Sequence, residues 1–337
     1  MKMQLKITTV ACVIALISGS AFAQDKGLDN PRRETFYEAL EGKRVVFIPI
    51  AMGFDLTEAW NQMMQRQAEQ RGYTVEVRDP NWSTEAGIRA MNSAIADKVD
   101  LIVLHNPDVQ SYAKLVERAM RSGIKVLQLN MESMTPSDSY VGGDWVAVGE
   151  KGGEELAAYC GKGGAGPSNK IAIILGPPTG ASTLYSIRGL YNVLEKHPEI
   201  EVVAQQSANY DPVKTRSIMS TILQQHPDLC GYWGPWDNSD VGAGSAVVEA
   251  GKQGQVMIAT FGAGSKTTCD NIEKGLLTKV VNYDLPSQGP ILNQQIAELL
   301  QSPMKPGQHK VSWFSMLNVV DASNNTGRNC WTMEELR

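Results

Sequence analysis

Aromatic side chains lie beside amides, hydroxyls and carboxylates at several points of the chain, a combination suited to binding a hydroxylated ring. Aromatic faces pack on the C–H faces of a sugar or polyol, and planar polar groups hydrogen-bond to its hydroxyls. The sequence therefore predicts a ligand-binding set with these members: Phe54, Asp55, Asn130, Tyr185, Tyr210, Trp236 and Asp284.

The stretch YWGPWDNSD, residues 232–240, is the most informative of these positions. It follows an apolar run and contains a Gly-Pro break, which ends a strand because proline lacks the ladder donor. Trp233 lies inside the run and is predicted to pack in the core. Trp236 lies beyond the break and is predicted to form one wall of a ligand site, opposite Phe54. One of the next three residues, 237–239, is expected to cap the following helix.

Other site chemistries find little support in the sequence. The segment GKGGAG, residues 161–166, follows a predicted helix and precedes a strand, whereas a dinucleotide fingerprint must follow a strand and open a helix. A phosphate-binding P-loop, a nucleophile elbow and a zinc-protease motif are absent from the sequence. The four histidines are scattered. We therefore expect no catalytic residues, no metal and no cofactor, and the sequence offers no positive sign of an enzyme.

Short apolar runs alternate with amphipathic segments along the chain, which is typical of parallel βαβ units covered on both faces. The predicted strands span residues 44–50, 73–77, 100–105, 125–130, 139–144, 170–175, 200–206, 230–234, 256–262 and 278–284. One more helix and a strand-like run at 311–320 then return to the domains already built. Predicted helices begin near residues 56, 84, 109, 147, 183, 213, 240, 266 and 291.

These units form two successive series, which predict an α/β protein with two doubly wound, Rossmann-like lobes. In such folds ligands bind outside the carboxyl ends of the strands, where the candidate residues fall. A chain of 337 residues suits two domains. It has a net charge of −5, so it lacks the basic excess of a nucleic-acid-binding protein.

The first 23 residues read as a signal peptide. MKMQLK supplies a positive start, an apolar run follows, and Ala21-Phe22-Ala23 is a small-x-small cleavage site, so the mature chain is expected to start at Gln24. Export to the periplasm permits disulfides among Cys160, Cys230, Cys269 and Cys330. Three pairings of these cysteines are open, and buried free thiols are an equal alternative.

Several segments together resemble a known family. They are RVVFIPI with AEQRGYTVEV, DLIVLHNPDVQSYAKLVERAMRSGIKVLQLN, SANYDPVKTRSIMSTILQQHPDL and VMIATFG. From about Lys43 to Val320 the chain is similar to type I periplasmic binding proteins of the ribose/galactose class, the sugar receptors of ABC importers. This resemblance implies two lobes joined by a hinge of three crossings, near 143–144, 284–285 and 316–318, that closes over one ligand. The implied lobes are 24–142 with 285–317, and 143–284 with 318–337.

The family's ligand positions transfer unevenly to this sequence. The aromatic positions are retained as Phe54 and Tyr210. At positions where ribose-type members carry charged or amide ligands, the resemblance aligns Asn130-Met131 with an Asp-Arg pair, Tyr185-Ser186 with an Arg, Trp236 with an Asn, Gly262 with an Asp, and Asp284 with a Gln. The aromatic residues of the family's site are present in this sequence, and the charged residues that bind a pyranose are not. This difference favours a polyol, a deoxy-sugar or a cyclitol as the ligand.

Two functions follow from the resemblance. The first is a monomeric receptor that delivers a small sugar or polyol to the permease of an ABC importer in the inner membrane. The second is a periplasmic sensing module for a membrane kinase or chemoreceptor, which uses the same fold. A repressor of the lactose-repressor type shares the lobes, but the predicted signal peptide and the missing helix-turn-helix argue against it.

Overall fold

The computed structural model describes residues 30–336, so the predicted signal peptide lies outside the described residues. Twelve strands are present: β1 Arg44–Ile48, β2 Thr74–Val77, β3 Leu101–Leu104, β4 Lys125–Leu129, β5 Ser139–Gly142, β6 Lys170–Leu175, β7 Glu201–Ser207, β8 Gly231–Trp233, β9 Met257–Gly262, β10 Lys279–Asn282, β11 Val311–Phe314 and β12 Asn318–Val320. Ten α-helices accompany them: α1 Pro31–Leu40, α2 Asp55–Arg71, α3 Thr84–Ala96, α4 Ala113–Arg121, α5 Trp145–Cys160, α6 Ala181–Leu194, α7 Pro212–Gln225, α8 Asp237–Glu249, α9 Lys266–Glu273 and α10 Leu285–Gln301.

The strands form two six-stranded sheets, which confirms the predicted α/β architecture with two lobes. The first sheet has the order β11-β5-β4-β3-β1-β2, and the second has the order β12-β10-β9-β8-β6-β7. All pairs are parallel except the antiparallel pair of β12 with β10. Successive residues of β1 pack on opposite faces: Val45 and Phe47 lie with Trp60 of α2, and Val46 and Ile48 lie with Met91 of α3. Both faces of the sheet are therefore covered, as the continuous apolar runs indicated.

The chain passes between the two sheets three times. It leaves the first sheet after β5, returns after β10 with α10, and leaves again between β11 and β12. The run 311–320, which reads as one strand in the sequence, is two strands in different sheets, because residues 315–317 carry the chain across. The exact limits of the lobes stay predictions.

Three local features differ from the sequence-based expectation. Helix α1 was not predicted, although Asn30 caps it and Pro31 opens it, a common start signal. Helix α4 begins at Ala113 rather than near 109, because Asp108 accepts the backbone N–H groups of residues 110 and 111 in a turn. Helix α10 begins at Leu285, six residues before the predicted start, and includes Pro290.

Two disulfides select one of the three open pairings. Cys160 at the end of α5 bonds to Cys230 beside β8, and Cys269 of α9 bonds to Cys330 in a short 3-10 helix, Gly327–Cys330. Both therefore tie parts of the second lobe together. Across residues 30–336, no helix is both long and apolar enough to span a membrane.

Candidate functional site

A cavity lies between the carboxyl ends of the two sheets. Its empty space is about 410 Å³, part of it open to solvent. We call this space the inner cavity, and it is lined by Ile50, Phe54, Leu56, Trp82, His105, Asn130, Met131, Trp145, Ser182, Tyr210, Pro235, Trp236, Phe261 and Tyr283. Residues from both lobes contribute, since each sheet ends at this edge. Half of the lining residues are aromatic, which makes the cavity largely apolar.

Aromatic rings from the two lobes meet directly at the cavity wall. Phe54, after β1, lies edge-on to Trp236, after β8, with their ring centroids 5.4 Å apart. Trp82 stacks on Phe54 at 5.8 Å, and Tyr210 lies edge-on to Trp236 at 5.8 Å. Phe54 and Trp236 therefore come from opposite lobes, as expected, but their rings touch each other, so their place on either side of a ligand stays a prediction.

Polar contacts also join the lobes around the cavity. The backbone N–H of Val109, after β3, donates to the carbonyl of Thr179, after β6, at 3.0 Å. The Thr267 hydroxyl of α9 donates to the Asp55 carboxylate of α2 at 3.4 Å. These contacts, together with the aromatic pair, show the lobes closed on each other.

The loop between β8 and α8 places its two tryptophans on different sides. Trp233 is only 1% exposed, which confirms its predicted place in the core. Trp236 reaches the cavity wall, and the expected cap among residues 237–239 was wrong. Trp236 is itself the N-cap, because its carbonyl accepts the N–H groups of Ser239 and Asp240. The indole is left free to face the cleft.

Two buried carboxylates support this loop from behind. Asp240 accepts hydrogen bonds from the Tyr232 hydroxyl at 2.7 Å and from the backbone N–H of Trp236 at 3.1 Å. Burial raises the pKa of Asp240 to about 7 and that of Asp237 to about 6, since desolvation disfavours the charged form. A Cβ at Gly262 would lie 2.1 Å from the Asp237 carboxylate, so Asp237 occupies the space that a side chain at 262 would need.

His105 and Asn130 place buried polar atoms at the first-lobe side of the cavity. His105 is 3% exposed and Asn130 is 4% exposed. Both ring nitrogens of His105 lack a hydrogen-bond partner within residues 30–336, and so does the side-chain oxygen of Asn130. Burial lowers the pKa of His105 to about 3, so the imidazole is neutral at pH 7 and offers one donor and one acceptor.

Four of the seven predicted site residues line the cavity, namely Phe54, Asn130, Tyr210 and Trp236. The other three do not. Asp55 opens α2 and contacts Thr267 outside the wall. Tyr185 packs against Ile50 and Met131 and so lies behind the wall rather than on it.

Asp284 also lies outside the lining, at the second crossing between the sheets. It is the N-cap of α10 and pairs with Arg328, whose Nη2 lies 2.6 Å from Asp284 Oδ2. A pairing across 44 residues leaves no local signal in the sequence. In this closed structure Asp284 contacts Arg328 rather than the inner cavity, and its predicted contact with a ligand stays a prediction.

Trp82, His105 and Ser182 line the cavity without having been predicted. His105 follows β3 directly and Trp82 lies just beyond β2, so their place after a strand was the available signal. Within the described residues, no group of three or more His, Cys, Asp or Glu side chains could hold a metal ion. The lining contains no Asp, Glu, Lys or Arg among residues 30–336, which suits a neutral molecule.

Comparison with known proteins agrees with this architecture. A family model described as a periplasmic binding protein domain matches residues 45–304. The ribose import binding protein of Bacillus subtilis (strain 168) is 25% identical over 244 residues, which are 70% of this chain and 75% of that protein. The xylitol-binding protein of Mycolicibacterium smegmatis is 29% identical over 196 residues, which are 58% of this chain and 52% of that protein.

A solved structure gives the same fold. It is an ABC transporter periplasmic solute-binding protein from Actinobacillus succinogenes with bound D-allose. Its TM-score is 0.70 at 21% identity, and the match covers 85% of this chain and 99% of that one.

Proposed function

Because the chain belongs to the periplasmic binding protein family, we propose that it captures a neutral, sugar-like molecule between its lobes and delivers it to an ABC importer. The ligand classes that fit are a polyol, a deoxy-sugar or a cyclitol. Import binding proteins for ribose, apiose and xylitol are among its relatives, which supports this range of ligands.

The observation that carries the proposal is the uncharged, aromatic inner cavity at the carboxyl ends of both sheets. Aromatic rings from opposite lobes can cover both faces of a small ring or chain, with C–H groups against the rings. Charged side chains would grip a molecule with many hydroxyls more strongly, and the lining has none within the described residues. A neutral molecule that binds largely through its C–H faces is therefore preferred.

In this proposal Phe54 and Trp236 form adjoining walls, because their rings touch across the lobes in the closed form, and Tyr210 closes the second-lobe side. His105 and Asn130 supply the hydrogen bonds for which they have no protein partner. Asp55 acts outside the ligand wall, at the contact with Thr267 that joins the lobes. Tyr185 acts indirectly, by supporting the cavity wall from behind. Asp284 also acts indirectly, since its ion pair with Arg328 fixes the second crossing between the lobes.

The same lining supports carriage rather than catalysis. General acid–base catalysis needs a titratable pair with separated pKa values on the wall. The lining offers one neutral imidazole and the hydroxyls of tyrosine and serine, and the buried carboxylates of the second lobe lie behind Trp236. A binding protein needs only closure and release, which two lobes with three crossings provide.

The location and partners complete the proposal. Cleavage after Ala23 would release a monomer into the periplasm, where the closed form would dock on an ABC permease in the inner membrane. Intact-mass analysis of periplasmic protein should give a chain that starts at Gln24; a lipidated start at Cys12 would replace release by anchoring. Neighbouring genes distinguish the importer from the sensing alternative. Permease and ATPase genes would indicate an importer, and a sensor-kinase gene would indicate a sensing module.

A thermal-shift screen tests the ligand class, because a ligand that binds only the folded state raises the melting temperature. Xylitol, sorbitol, rhamnose, fucose and myo-inositol form the test set, with ribose, glucose and galactose as controls. We expect at least one member of the test set to raise the melting temperature more than any control. A response to the hexoses alone would refute the ligand class, and the absence of any response would refute the carbohydrate proposal.

A further inference from the structure

A second cavity lies against the inner cavity and shares lining residues with it. Its empty space is about 520 Å³, part of it open to solvent. We call it the outer chamber, and it is lined by Ile50, Trp82, Thr84, Pro107, Asp108, Pro177, Thr179, Asn209 and Tyr210. Ile50, Trp82 and Tyr210 belong to both linings. The two spaces are therefore neighbours that share a wall drawn from both lobes.

The shared wall is built on unusual backbone. Trp82 and Tyr210 have φ angles of 66° and 65°, in the left-handed region that bulky residues rarely adopt. Asn81 and Asn209, directly before them, are also left-handed, at 48° and 56°. Such conformations persist where the surroundings enforce them, and they concentrate at ligand clamps. Two facing aromatic residues, one from each lobe, thus carry the same strain at the junction of the two cavities.

The side chains of the outer chamber differ from those of the inner cavity. The indole of Trp82 is half exposed, at 51%, and two prolines add further apolar surface. Thr84, Thr179 and Asn209 provide hydroxyls and an amide. The one carboxylate, Asp108, is already engaged by the N–H groups of residues 110 and 111 and by the hydroxyl of Ser111. The chamber thus combines apolar faces with neutral polar groups, as a surface for a second sugar ring does.

We propose that the outer chamber is a second subsite, which holds a sugar ring joined by a glycosidic bond to the group in the inner cavity. This proposal rests on the proposed sugar-like ligand and extends it from a single ring or chain to a glycoside. The glycosidic bond passes between Trp82 and Tyr210, and the second ring stacks on the exposed face of Trp82. Since both lobes line the chamber, a ring bound there also favours the closed form.

Titration calorimetry on matched pairs tests the subsite. Each pair joins a small compound to its glycoside: myo-inositol with galactinol, sorbitol with maltitol, and rhamnose with rutinose. For at least one pair we expect the glycoside to bind roughly five- to tenfold more tightly than the small compound, the range that one stacked ring contributes.

Thr84→Trp is the decisive variant, because Thr84 lines the outer chamber, is absent from the inner lining and makes none of the contacts between the lobes described above. It should abolish the preference for the glycoside and leave the affinity for the small compound within about twofold. Trp82→Ala should reduce the same preference by removing the stacking face. Val213→Trp, at a 75% exposed position of α7, is the control for an added indole and should keep the wild-type preference.

The outcomes separate the two proposals. If the small compounds bind and none of the glycosides binds more tightly, the subsite is refuted while the sugar-like ligand stands. If a glycoside is preferred but Thr84→Trp keeps that preference, the second ring lies elsewhere and the outer chamber is refuted. If no compound of either size binds, the sugar-like ligand is wrong and the subsite falls with it.

Discussion

Buried polar side chains flank the inner cavity on both lobes, but their hydrogen bonds are met in different ways. In the second lobe, Asp240 accepts bonds from Tyr232, Thr260 and the backbone of Trp236, so the loop after β8 is fixed from behind. In the first lobe, His105 and Asn130 are as deeply buried but have side-chain atoms without a partner in residues 30–336.

This difference indicates that the two lobes have different roles at the inner cavity. A buried polar atom without a partner costs free energy, typically about 1–3 kcal/mol, and is retained where a ligand supplies the missing bond. A fully bonded network gives rigidity instead. We therefore interpret the second-lobe loop as a rigid wall that presents Trp236, and the first-lobe strand ends as the side that recognises the ligand.

The largest expected effect is on stability, from the core residue Trp233 behind the second-lobe wall. Trp233→Ala should lower the free energy of unfolding by about 3–5 kcal/mol, because a large core side chain leaves a cavity behind. The space around this indole is tight, since a Cβ at Gly152 would come within 1.8 Å of it. Denaturant unfolding measures the change. A loss below about 1 kcal/mol would show that the wall does not rest on this residue.

The wall itself should affect binding rather than folding. Trp236→Ala is expected to weaken binding of the natural ligand by about 2–4 kcal/mol, as the loss of a central aromatic contact does at interfaces. Its melting temperature should change much less than that of Trp233→Ala. Calorimetric titration together with thermal melts on both variants separates the two effects. Wild-type affinity in Trp236→Ala would mean that the wall lies elsewhere.

On the first-lobe side, removal of the polar group should weaken binding without harming the fold. His105→Leu is expected to cost about 1–3 kcal/mol of binding, because the ligand loses its partner. The free energy of unfolding should stay equal or rise, since a buried group without a partner has been removed. His226→Leu, at the end of α7, is the matched control. A destabilised His105→Leu protein with normal affinity would reverse the roles of the two sides.

A further effect is a pH dependence of stability that belongs to the second lobe. Burial raises the pKa of Asp240 to about 7 from an ordinary 3.8, so between these values the folded state holds a proton that the unfolded state has lost. This carboxyl therefore adds stability below about pH 4, and that contribution is lost as the pH rises through about 7. One proton gives a slope of at most about 1.4 kcal/mol per pH unit.

Asp240→Asn isolates this contribution. Urea unfolding of both proteins between pH 4.5 and 7.5 should show that the variant lacks part of the gain in stability on acidification. The low pKa of His105, about 3, works in the opposite direction, since the unfolded state takes up the proton first. That effect is common to both proteins and cancels in the difference. Parallel curves for the two proteins would show that Asp240 is ionised in the folded state.

The lobes and strands were predictable because each buried strand is a continuous apolar run of its own. The limits of the strands were harder to predict. Residues 311–320 read as one strand in the sequence, and only the geometry of the crossing divides them between two sheets. The disulfide pairing could not be predicted from the sequence either, since it depends on which elements meet in the folded second lobe.

The candidate site was predictable where residue type and position agree. Phe54, Tyr210 and Trp236 are aromatic and follow strands, and all three line the cavity. Asp284 follows a strand too, but Arg328 pairs with it from the far end of the chain. His105 was set aside as one of four scattered histidines, because its burial without a partner is a property of the tertiary structure rather than of the residue.

The late return of the chain to the first sheet sets an order on how the protein can be built. Trp60 of α2 donates to Gln288 of α10 at 2.7 Å, across 228 positions of sequence, and β11 completes the sheet beside β5. During synthesis the amino-terminal lobe lacks this helix and this strand until nearly the whole chain has emerged. Contacts of such long range form late. A chain that has not finished its first lobe stays incompletely folded until its carboxyl-terminal part is made, which is the state that the proposed export would require.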